Sequence, residues 1–119
     1  MTVQRCEERA VQELLRAVRI LASDADVQIE YVQRLGVGPD EMALEFDDAF
    51  RQVAGVTGMG FLPEGVMEAA RPIDDQLQRM TSLPEDVWSK CSVRSSSEWQ
   101  KLRLLARAAG EGIQRLMIT

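Results

Sequence analysis

Histidine is absent from this 119-residue chain, and that absence excludes Ser-His and Cys-His nucleophiles, imidazole general bases and nearly every zinc or iron site. Carboxylate, hydroxyl, thiol, Lys and Arg chemistry remains. Asparagine is also missing, and lysine occurs twice against 12 arginines, a bias that reads as coding composition rather than as a binding signature. The two cysteines, Cys6 and Cys91, have no CxxC spacing, so they suggest neither a redox pair nor a thiolate cluster and are expected as small buried thiols. No apolar run approaches the roughly 20 residues needed to cross a bilayer. The first residues carry charges where a secretory leader would need an apolar stretch, so a cytoplasmic location is expected. Only 5% of residues are aromatic, which makes Trp88 and Trp99 conspicuous; both are expected to wedge against the ends of the fold.

What is present is the balance of an ordinary globular protein: 45% hydrophobic, 28% charged and a net charge of −5. The length suits one domain, residues 1–119. Charge is unevenly spread. Residues 24–48 hold eight acids against Arg34, whereas residues 89–119 hold six basic groups against two acids. So small a basic surplus, beside a strongly acidic half, argues against nucleic-acid binding. The two halves are expected either to pair within the molecule or to orient a partner protein.

Periodicity predicts helices along most of the chain. Val11, Leu14, Val18 and Leu21 recur at spacings of three and four, one apolar stripe of an amphipathic helix. Ser23, Asp24 and Asp26 interrupt it. Val27, Tyr31 and Leu35 then suggest a second stripe ending at Gly36, and the strand-like alternation of residues 27–31 has no partner strand. Pro39, Pro63 and Pro84, each followed by an acid, suggest three helix starts, because proline at a first helical position forfeits no hydrogen bond and a carboxylate there suits the helix dipole. Met42, Phe46, Ala49, Phe50 and Val53 form the next face, expected to end at Gly55. The glycine-rich stretch 55–61 lacks the Gly-Lys-Ser/Thr ending of a phosphate loop and reads as a mobile connection. Val66, Ala70, Ile73, Leu77 and Met80 keep their period across Pro72, which favours a kink over a break. Ser97 with Gln100, or Ser95 with Glu98, offers a capping box for a last helix carrying Trp99, Leu102, Leu105, Ala106, Ala109, Ile113 and Leu116. The expected fold is all-α, a single-domain helical bundle of four main helices plus one or two short ones.

The chemically suggestive group is Asp40, Glu41, Glu45, Asp47 and Asp48, in which Glu41, Glu45 and Asp48 share one helix face. Asp24-Ala25-Asp26 fails as a calcium loop, since Ile29 stands where its glycine belongs, and Asp74-Asp75 are adjacent and diverge on a helix. Ser95-Ser96-Ser97 has no base partner and reads as a cap. Leu44-Glu45-Phe46-Asp47-Asp48-Ala49-Phe50-Arg51-Gln52-Val53 resembles half of the motif of all-helical nucleoside triphosphate pyrophosphohydrolases. That resemblance implies Glu45 and Asp48 as Mg²⁺ ligands, but the preceding ExxE helix is missing. Tyr31–Gly36, Met42–Ala49 and Ser97–Lys101 together resemble a group of small uncharacterised bacterial helical proteins, which implies a stand-alone helical domain and no particular activity.

Two functions are therefore expected to compete. The first is a non-catalytic interaction domain, of immunity, adaptor or regulatory type, needing no cofactor and contacting a protein partner through Asp40, Glu41, Glu45, Asp47 and Asp48. The alternative is a divergent Mg²⁺-dependent pyrophosphohydrolase. No membrane or nucleic-acid partner is expected, and apolar residues on a second side of the last helix, Leu104 and Ala108, would suit a homodimer.

Overall fold

Each long apolar stripe becomes the buried side of a helix. In a computed structural model, residues 2–57 and 65–118 are described, with side chains for 8–56 and 65–117. The described residues form α1 (Thr2–Ala22), α2 (Ala25–Leu35), α3 (Asp40–Thr57), α4 (Gly65–Ser82), α5 (Lys90–Ser95) and α6 (Ser97–Ile118), with no strand among them. The protein is all-α. Four helices run 18 to 22 residues, while α2 and α5 have 11 and 6. Val11, Leu14, Val18 and Leu21 of α1 are fully buried, and α1 packs along both α3 and α6. The second face of α6 is covered by α4, whose Val66, Ala70, Ile73, Leu77 and Met80 all lie inside. Contact between α3 and α4 is sparser, and α2 lies against α5.

The helix boundaries correct several expectations. Gly36 does end α2, in the left-handed conformation (φ 71°) that glycine adopts without strain. At the Pro39 start, Asp40 and Glu41 occupy the first turn of α3, which continues through Gly55 to Thr57 instead of stopping at the glycine. The Pro63 start and most of the glycine-rich stretch, residues 58–64, lie outside the described residues. At Pro84 no helix begins. Residues 83–89 form a turn in which the Asp86 carboxylate accepts from the Trp88 amide (2.8 Å), and the next helix waits for Ser89, whose hydroxyl caps the Ser92 amide (3.1 Å). The cap of α6 is Ser96, not Ser95 or Ser97. Its hydroxyl accepts from the Glu98 amide, and the Ser95 hydroxyl is turned back to the Cys91 carbonyl. Pro72 sits inside an unbroken α4.

The stripe expected on α2 is misplaced. Val27 and Leu35 are 50% and 52% exposed, and the buried positions are Gln28, Ile29 and Val32. A glutamine can face the core here because its amide is satisfied: Nε2 donates to the carbonyls of Ile20 (3.1 Å) and Leu21 (3.0 Å) at the end of α1. Its Oε1 accepts from Nη1 of buried Arg103 (2.8 Å), which also donates to the Val93 carbonyl of α5 (3.1 Å). One polar node thus joins α1, α2, α5 and α6.

The tryptophans pair edge to face, 5.8 Å apart. Trp99 is fully buried and donates to the Val87 carbonyl (2.7 Å), while Trp88 is half-buried. Cys91 is exposed on short α5, contrary to the expectation of a buried thiol, and Cys6 lies outside the described side chains.

Candidate functional site

The carboxylates of α3 divide between two sides of the helix. Glu45 and Asp48, three residues apart, face the groove between α3 and α1. Asp47, about 200° from Glu45 around the helix axis, turns away and pairs with Arg51 at 3.0 Å. The five acids expected to act together are therefore not one continuous surface. Asp40 is exposed and Glu41 half-buried in the first turn, and Asp48 is exposed further along.

The groove that receives Glu45 and Asp48 is a cleft of about 250 Å³. Its walls are matching faces: Glu13, Arg16, Ala17 and Ile20 from α1, and Glu45, Asp48, Ala49 and Gln52 from α3, both at positions i, i+3, i+4 and i+7. Ala17 and Ala49 are buried, so two small side chains make the floor and leave room for what lies above. Tyr31, from α2, closes one end.

Tyr31, a member of the apolar stripe expected on α2, donates its hydroxyl to the Glu45 carboxylate, 2.8 and 2.9 Å from the two oxygens. Burial raises the phenol's pKa above its ordinary value of 10.0, and the hydrogen bond to Glu45 and the charges of Glu45 and Glu41 push it further, opposed by Arg34. The phenol stays protonated at neutral pH and supplies a hydrogen bond without charge. The hydroxyl of Tyr31 therefore brings Glu45 no compensating positive charge. Neither Glu45 nor Asp48 has a cationic partner among the described residues, and across the cleft Arg16 is engaged by Glu13 (3.3 Å). The four charged groups of the lining sum to −2.

The acidic groups that begin α2 are spent differently. Arg107 donates to Asp24 (3.1 Å) and to the Ala22 carbonyl (2.9 Å), and Arg94 pairs with Asp26. Those contacts are the expected pairing of the basic C-terminal part with the acidic N-terminal half. They leave the Glu45–Asp48 side of α3 as acidic surface without such pairing.

A Mg²⁺ site built on Glu45 and Asp48 needs further oxygen ligands converging on the same point. Among the described residues no three Asp, Glu or Cys side chains form a group that could hold a metal ion. Nor is any described helix long and apolar enough to cross a membrane. Comparison of the chain with protein-family models, curated proteins and solved structures found no match.

The sequence held one usable signal for the missed member of this site. Tyr31 is the only tyrosine, and a phenol at the edge of an apolar stripe that precedes a run of acids is a natural donor to one of them. The alanine floor carried no such signal, since Ala17 and Ala49 look like any small core residues.

Proposed function

We propose that the protein is a non-catalytic recognition domain, of immunity, adaptor or regulatory type, whose α1/α3 cleft receives an Arg or Lys side chain from a partner protein. On this reading the four long helices act as the bundle that presents the cleft. The observation that carries it is the pair Glu45 and Asp48: two carboxylates one helical turn apart over an alanine floor, Glu45 bonded to a neutral phenol and neither paired with a cation among the described residues. A guanidinium offers the complementary charge and a fork of donors that suits two carboxylates. Asp40 and Glu41, at the start of the same helix, extend the negative field and would speed encounter with a basic partner.

Calorimetric titration with a short peptide of Arg and Gly tests the reading. Binding should weaken steeply as salt rises. It should vanish in the double variant Glu45→Lys/Asp48→Lys and persist in Glu68→Lys/Glu85→Lys, which changes net charge equally on other surfaces. Equal binding by the two double variants would overturn the assignment of the cleft.

A further inference from the structure

A larger hollow lies between α3 and α4, whose mutual contact is sparser than that of α1 with α3 or of α4 with α6. It measures about 600 Å³, is floored by Ala43 and Leu77, and is edged by Asp47, Arg51, Asp74 and Thr81. Leu44 stands on its rim, 55% exposed. Among the described residues three other large apolar side chains are about as exposed: Val27, Leu35 and Leu104.

The surroundings of these four differ in what they could meet. Leu104, 63% exposed, shares the outer side of α6 with Lys101, Arg107, Ala108 and Glu111, so two copies apposed there would oppose a net basic surface to itself. Val27 and Leu35 flank Tyr31 beside Glu30, Glu41 and Glu45, with Arg34 the cation among them, and apposition there would oppose a net acidic surface to itself. Of the four, Leu44 is the one that lines a hollow a leucine can enter, edged by Arg51 with Asp47 and Asp74.

A protruding side chain adjacent to a receiving groove is what a two-fold axis needs, because an isologous contact uses one patch twice. We infer that the protein associates with a second copy of itself through the α3/α4 groove, Leu44 of each copy entering the hollow of the other and Arg51 facing Asp74 across the axis. Asp74 is available for that pairing: among the described residues it has no cationic partner and accepts from the amide of Gln78 (2.9 Å). Among the described residues Arg51 pairs with Asp47 of its own helix, an exposed pair that costs little to rearrange. This surface is separate from the α1/α3 cleft, so its occupation leaves Glu45 and Asp48 open.

The test is sedimentation equilibrium on the whole chain between about 10 µM and about 1 mM, a span suited to a weak, small interface. A reversible monomer–dimer equilibrium is expected. Leu44→Lys, at an exposed position that the fold does not need, should weaken dimerisation about tenfold or more, whereas Leu104→Lys should leave it unchanged. Arg51→Glu alone and Asp74→Arg alone should each be monomeric, and mixing the two should restore dimers, because both pairs across the axis then regain opposite charges. Circular dichroism of each variant confirms that helix content is kept. A monomer throughout the range would overturn the inference, as would a dimer that survives Leu44→Lys, one that Leu104→Lys dissolves, or a failure of the two charge variants to pair.

Discussion

Tyr31 is the only tyrosine in the chain, so its ionisation can be followed alone by its ultraviolet absorbance. Its titration should centre above 10, and Glu45→Gln should bring the midpoint down, since that substitution removes a negative charge and replaces a charge-assisted hydrogen bond. Part of the elevation should remain, because burial is its first cause. The same shift sets a stability profile. A phenol whose pKa is raised on folding favours the folded state below its unfolded pKa and loses that contribution as pH rises through the folded value. The stability difference between the wild type and Tyr31→Phe should hence be constant through neutral pH and shrink only above pH 10; a difference that changes between pH 6 and 8 would contradict the arrangement. Gln28 supplies a second test at this scale. Gln28→Leu leaves the Leu21 carbonyl without its amide donor and takes from buried Arg103 one of its two acceptors, a loss of about 2–3 kcal/mol by urea denaturation. Replacing both residues, Gln28→Leu with Arg103→Met, should cost less than adding the two single losses, because the buried charge disappears with its acceptor.

Among the helices, α4 carries the clearest internal cost. The nitrogen of Pro72 has no hydrogen to give the Glu68 carbonyl, and the ring crowds the preceding turn, yet Ala70, Ile73 and Leu77 around it stay buried. Pro72 is itself exposed, so Pro72→Ala should raise stability by about 1–3 kcal/mol, read from the urea midpoint. Where apolar residues alone define a face, as in α1, α3, α4 and α6, the helix and its inward side were legible from spacing. Elsewhere polar groups decided the outcome. The buried position on α2 belongs to Gln28 because acceptors from α1 and a donor from α6 converge on it, and no local pattern announces partners 75 residues away. Pro84 had the signs of a helix start, but Asp86 closes a turn on Trp88 and Val87 gives its carbonyl to the Trp99 indole, so the chain there is held by α6 and not by its own helical bonds. The candidate site was legible in part for the same reason. Helical spacing put Glu45 and Asp48 on one side and would have put Asp47 on the other, whereas the phenol closing the cleft arrives from a different helix.

Over the whole molecule, the charge asymmetry divides into a part consumed by folding and a part left over. Arg94–Asp26 and Arg107–Asp24 tie the basic C-terminal segment to the start of α2, and Arg79 ties α4 to Glu98 of α6, whose pKa is lowered by the Gln76 hydrogen bond and then by Arg79. The two pairs at the start of α2 are largely exposed, and exposed pairs contribute about 0–1 kcal/mol each and are screened by salt. The stability of the fold rests instead on the apolar cluster shared by the helices, which salt at moderate concentration does not weaken. Raising sodium chloride from about 0.05 M to about 0.5 M should therefore change unfolding free energy by no more than about 1 kcal/mol, while binding of the Arg/Gly peptide falls by an order of magnitude or more. Parallel urea denaturation and calorimetry in the same buffers check both halves. A fold that melts in step with the loss of binding would mean that the acidic side of α3 is tied up in holding the helices together, leaving no free charge for a partner to read.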